Sequence, residues 1–134
     1  MIAVDTSVVV ALFASWHEAH ESAREAVPGE AHLPAHVLLE SYSVLTRLPP
    51  PHRAAADIVE VFLGARFEPK LLALPPAAHR SLVRSSAAQG ISGGRVYDAL
   101  IAATAKRAGA TLLTRDRRAA STYEAVGVRF RVLQ

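Results

Sequence analysis

The chain opens with a short apolar run, Ile2-Ala3-Val4, that stops on Asp5 and turns at once into a second apolar run, Val8-Val9-Val10-Ala11-Leu12-Phe13. This pattern reads as a buried strand feeding a helix, with Asp5 at the strand's C-terminal edge. Near the other end the form returns. Thr111-Leu112-Leu113-Thr114 reads as a strand, Asp116 follows it, and a short helix is predicted over 117–126. In open parallel α/β sheets the crevice beyond the carboxyl ends of the strands is where ligands bind, so these two aspartates point at one candidate site.

The intervening segments alternate in the same way. Ser15 with Glu18 three residues on fits a capping box, which predicts a helix over 16–26 stopping at Pro28-Gly29. Its histidines, His17 and His20, lack the His-Glu-x-x-His spacing of a zinc helix and read as solvated surface. A short strand over 31–33 leads through Pro34 into a helix over 35–48, on which Glu40 lies between Val37 and Val44 on the expected buried face. A helix over 53–63 is apolar around more than one face before Gly64, so it is either central to the core or covered by another chain. A third buried strand over 70–74 and a helix over 77–89 follow. The Gly90–Gly94 connector is too irregular for a phosphate-binding GxGxxG loop, and it leads into the longest helix, 95–108. An alternating stretch, 128–132, reads as a last strand at an edge. Strands alternating with helices predict a single domain, 1–134, of α/β class: a three-layer α/β/α sandwich around a central parallel sheet of about five strands.

Composition sets the outer limits. With 51% hydrophobic residues in 134, the chain can bury roughly two thirds of the surface it exposes unfolded. No stretch reaches the ~18 apolar residues of a membrane span and no basic leader precedes the first strand, so a cytoplasmic protein without membrane contact is expected. The absence of cysteine excludes disulfides and thiolate metal sites. Net charge is +3, and thirteen of the fifteen cations are Arg. An Arg-rich composition can reflect genome bias alone, and it also suits a polyanionic partner.

Four acids deserve to be taken together. Asp5 and Asp116 fall just beyond strand ends, while Glu40 and Asp98 fall in early turns of helices on their apolar sides. Each has a structural alternative, as helix cap, first-turn acid or ion-pair partner. At one sheet edge, however, strand ends and helix N-terminal turns meet. Four carboxylates gathered there repel by about a kcal/mol or more per close pair. Hard oxygen donors without cysteine select Mg²⁺ or Mn²⁺, and the chemistry this permits is metal-assisted phosphodiester hydrolysis. Thr6 and Thr114 offer hydroxyls beside the acids, and Arg95, Arg115, Arg117 and Arg118 could hold a substrate backbone.

The segments IAVDTSVVVALF, AHVLLESYSVLTRL, VYDALIAATAKRAGATLLTRD and GVRFRVL resemble PIN-domain ribonucleases, specifically the VapC-type toxins of type II toxin–antitoxin systems. The resemblance runs over the whole chain, and the block from Asp98 to Asp116 is its most specific part. It places the family's acidic quartet on Asp5, Glu40, Asp98 and Asp116, with Thr114 as an accessory polar residue. It implies an endoribonuclease dependent on Mg²⁺ or Mn²⁺, acting on RNA, usually homodimeric, and inhibited by a cognate VapB-type antitoxin. The antitoxin contact is expected on the 53–63 helix and the Glu40 helix before it. Gly93-Gly94, just before the Asp98 helix, departs from the pattern and bears on how Asp98 is positioned. A dehalogenase-type phosphatase would carry a second Asp two residues after the first, where this chain has Ser7. The remaining alternative is a catalytically inactive PIN-like interaction module, against which the retention of four mutually repelling acids argues.

Overall fold

A computed structural model describes residues 1–134. The chain runs through β1 (Ile2–Val4), α1 (Thr6–Phe13), α2 (His20–Ala26), β2 (Leu33–Pro34), α3 (Ala35–Thr46), α4 (Ala56–Phe67), β3 (Leu71–Leu72), α5 (Pro76–Ala88), α6 (Arg95–Arg107), β4 (Thr111–Thr114), α7 (Ala120–Val126) and β5 (Phe130–Val132). All strand pairings are parallel. β1 pairs with β4 and β4 with β5, while β2 pairs with β3. A single parallel bridge, Ala3 to His32, joins the two groups into the spatial order β3-β2-β1-β4-β5.

That order decides where a site can form. The chain builds outward from β1 to β2 and β3, then returns to lay β4 and β5 on the opposite side of β1. The direction of winding therefore reverses between β1 and β4, and at such a switch point the flanking helices diverge and leave a crevice beyond the strand ends. Helices α1 to α4 pack among themselves, as do α5 to α7, and α1 and α6 both lie against β4. The sheet is thus the middle layer of three. Val4, Val8, Val9, Leu112 and Leu113 are fully buried in the shared core. Each such side chain contributes about 1.5–3 kcal/mol relative to exposure.

Most of the expected elements are present, with four differences of local physical origin. The helix predicted over 16–26 begins only at His20, because His17 Nδ1 accepts the Ala19 backbone N–H at 3.0 Å and holds residues 14–19 as a turn. The helix predicted over 53–63 occupies Ala56–Phe67 and passes through Gly64, since Val59, Leu63 and Phe67 extend one buried stripe across it. The third strand is two residues long, and Leu71 is 40% exposed, so it is an edge rather than a buried strand. The last helix opens as a 3₁₀ turn over Arg117–Ala119 before α7. No helix is long and apolar enough to cross a membrane.

Candidate active site

Asp5 leaves β1 and caps α1, its Oδ1 accepting the Val8 backbone N–H at 3.3 Å. An aspartate favours this position because its short side chain reaches a free amide of the first helical turn. Here the carboxylate does more. Ser7 Oγ donates to Oδ1 at 2.6 Å, and Tyr123 Oη, reaching across from α7, donates to Oδ2 at 2.8 Å. Asp5 is 3% exposed. Burial raises its pKa, opposed by the hydrogen bonds from Ser7 and Tyr123. The Tyr123 hydroxyl is pushed the same way by burial and by Asp5, so it remains a proton donor at any ordinary pH.

Ser7 also joins the two strand ends. Its Oγ accepts the Arg115 backbone N–H at 2.7 Å. The fully buried Thr114 supplies Oγ1 to the backbone N–H of Asp116 at 3.0 Å, and Asp116 in turn caps the 3₁₀ turn through Arg118 N–H at 2.9 Å. Strand ends β1 and β4 are therefore fixed to each other by side-chain hydroxyls, with one acid on each.

The helices bring the other two acids. Glu40 on α3 is half-buried rather than buried; Thr6 Oγ1 donates to its Oε1, and His36 Nε2, one turn earlier, stands 3.6 Å from Oε2. Asp98 lies in the first turn of α6, where the helix dipole favours a carboxylate. Gly93 and Gly94 precede that helix without displacing its start, which falls at Arg95 as expected. Partial burial, with Glu40, Asp116 and Asp5 nearby, pushes Asp98 up to about 6. Burial is the larger cause, and the neighbouring carboxylates push in the same direction.

Glu40, Asp98 and Asp116 line one open crevice with Thr6, Ser7, Val10, His17, Val44, Arg115 and Arg118. Asp5 lies beneath it with its oxygens engaged. No three acidic or imidazole side chains stand close enough to share an ion directly. Mg²⁺ is commonly held by one or two carboxylates, waters and substrate phosphates, so this open, oxygen-only set suits it. Of the four arginines, Arg115 and Arg118 reach the crevice. Arg118 Nε lies 3.5 Å from Asp116 Oδ1, and Arg115 Nε is buried without a partner in the protein. Arg95 instead donates to Thr122 Oγ1 at 3.1 Å, and exposed Arg117 does not line the crevice.

Sequence reading missed His17, His36, Ser7 and Tyr123. His17 is held below its usual pKa by burial, then by Arg115. Only Ser7 carried a local signal: a hydroxyl two residues after an aspartate is the spacing of a side-chain-closed turn.

A parallel sheet wound this way, with acids converging at its switch point, is the architecture of PIN domains, and the PIN-domain family model matches residues 2–125. The chain belongs to that family. Among characterised relatives, ribonuclease VapC40 of Mycobacterium tuberculosis is 52% identical over 96% of both chains. Ribonuclease VapC27 of the same organism is 44% identical over 95% of this chain and 93% of its own. Solved structures share the fold: FitAB bound to a DNA fragment superposes with a TM-score of 0.73 at 19% identity, covering 98% of this chain and 94% of that one. VapBC2 of Rickettsia felis, bound to a promoter DNA fragment, gives 0.69 at 15% identity with both chains fully covered.

Proposed function

We propose that this chain, acting as one catalytic domain in the cytoplasm, is the toxin of a toxin–antitoxin pair and hydrolyses RNA phosphodiester bonds at the acidic crevice. The observation that carries this is the crowding of Asp98 with Glu40, Asp116 and Asp5 at the switch point, inside a chain 52% identical to a named ribonuclease. Mg²⁺ or Mn²⁺ would be held in the crevice by one or two of the carboxylates of Asp98, Asp116 and Glu40, completed by waters and substrate phosphate, with Asp5 adding its charge from beneath. Bound there, the ion would neutralise the carboxylates and help activate a water against phosphorus.

The chain's own groups supply the remainder. Thr6 and His36 fix the Glu40 carboxylate, and Ser7 and Thr114 fix the two strand-end acids. Arg115 and Arg118 line the crevice wall, where their guanidinium groups can pair with a phosphodiester.

A VapB-type antitoxin is proposed to seat on the groove between α3 and α4. That groove, of about 580 Å³, is lined by Leu38, Leu39, Tyr42, Leu63 and Leu71 among others. Leu39 is 68% exposed, an apolar surface that a monomer in water would not keep bare without use. Ile58 and Val61, exposed on the outer face of α4, are proposed to meet a second copy in a homodimer. The test is incubation of purified protein with total RNA in Mg²⁺, Mn²⁺ or EDTA, beside Asp98→Asn. Discrete fragments that need the metal and vanish in the variant are expected. Absence of cleavage with either metal would favour the inactive interaction module.

A further inference from the structure

Two exposed aromatic side chains flank the acidic crevice, and neither is absorbed by the hydrolytic machinery. Tyr97, next to Asp98 on α6, is 52% exposed and stacks on His36, with ring centroids 5.1 Å apart and planes within 4°. Trp16 is 48% exposed and stacks on His52, with centroids 3.8 Å apart and planes within 16°. Its neighbour His17 lines the crevice.

Their placement follows from α3. His36, Glu40 and Val44 are successive turns of one face, spanning about 12 Å along the helix axis. The Tyr97–His36 pair stands at the N-terminal end of that face. At the other end, Val44 shares the crevice wall with His17, and His52 lies in the loop that follows the helix. The acids lie between two half-exposed aromatic platforms, Tyr97 backed by the His36 imidazole and Trp16 by that of His52, with the His17 ring tilted beside Trp16 at 5.8 Å.

Large flat rings held open to water lose apolar burial that folding could have given them. The backing histidines fix their orientation, so a planar ligand would find each surface pre-set. Nucleobases are planar, and base–aromatic stacking is tolerant of sequence because every base has a π-face. A base within a duplex is already stacked on both sides, so the platforms favour unpaired nucleotides. Resting on the ribonuclease reading above, we infer that Tyr97–His36 and Trp16–His52 each stack on an unpaired base of the bound strand, one toward each end of the acidic crevice.

Trp16 is the only tryptophan, so its emission reports one platform directly. The experiment titrates Asp98→Asn protein with a mixed-sequence, fluorescein-labelled single-stranded oligoribonucleotide, following anisotropy for binding and Trp16 emission for stacking. Emission is expected to quench in step with the rise in anisotropy. In the same background Trp16→Ala and Tyr97→Ala should each weaken binding about tenfold or more, Tyr97→Phe should stay within about twofold, and a duplex of matching sequence should bind at least about tenfold more weakly. Thermal melts confirm that the variants fold. Binding without any change in Trp16 emission, or alanine variants that bind as tightly as their parent, would overturn the inference, as would emission that changes with protein concentration alone and ignores RNA. If the wild-type chain still cleaves RNA in those cases, only the platforms are refuted; if it neither binds nor cleaves, the ribonuclease reading goes with them.

Discussion

Ser7 shows how much one hydroxyl can organise. It gives its proton to Asp5 and receives the Arg115 N–H, so the two strand-end loops cannot move apart without leaving a polar group unpaired. Tyr123 completes the cage around Asp5 from 118 residues away. Tyr123→Phe removes the buried donor while keeping the ring, and should cost about 1–3 kcal/mol, read as a lower midpoint in denaturant unfolding. Asp98 carries the opposite cost, since its charge is held against its neighbours. Its pKa rises from 3.8 unfolded to about 6 folded, so between those values the native state binds the proton that the unfolded state releases. Stability of the ion-free chain should therefore fall as pH rises from about 4 to about 6 and level off above, by about 1 kcal/mol once partial exposure is allowed for. Asp98→Asn should flatten that slope and raise the melting temperature above wild type at pH 7, measurable by thermal melts in EDTA. The acids themselves were legible because a carboxylate on an apolar stripe or at a strand end stands out. His17, His36 and Tyr123 were not, because their roles depend on chain segments brought together only by the fold.

Among the elements, legibility followed the strength of the local pattern. The apolar run of β4 is bounded by Gly109 and Asp116, and its predicted and observed limits coincide. The capping box at Ser15 had the right residues, yet His17 diverted the backbone by offering its ring nitrogen to Ala19, a competition that spacing alone does not reveal. α4 was expected to need cover on two sides. It buries Val59, Leu63 and Phe67 and leaves Ile58 and Val61 57% and 63% exposed. The proposed antitoxin seat on the inner side of this helix yields a separable phenotype. Leu39→Arg, placing a charge in the apolar groove, should weaken antitoxin binding by at least about tenfold, the value of roughly 1.4 kcal/mol, while RNA cleavage by the free chain is retained; calorimetric titration and a gel assay read the two effects.

For the whole molecule, the architecture makes the acid cluster a store of repulsion that only a cation or protons can release. Asp5 and Asp116 are fixed by backbone caps at strand ends and Glu40 is held by Thr6, so three of the four carboxylates have little room to swing away. Adding Mg²⁺ should therefore stabilise the folded chain, by about 2.7 kcal/mol at a hundred times the dissociation constant, and the rise in melting temperature should be much smaller in Asp98→Asn. The parallel sheet of about five strands was legible from the alternation of elements, whereas the strand order and the weak junction between β1 and β2, a single bridge, were not.

Helix α3 carries His36, Glu40 and Val44 on one face and Leu38, Leu39 and Tyr42 on the next. With the proposed antitoxin seated in that groove, inhibitor and active site would read the same helix from neighbouring sides. On that proposal, a lineage in which this surface drifted to escape its inhibitor would risk tilting Glu40 with it and disarming itself, which would tie immunity and toxicity to a shared inheritance.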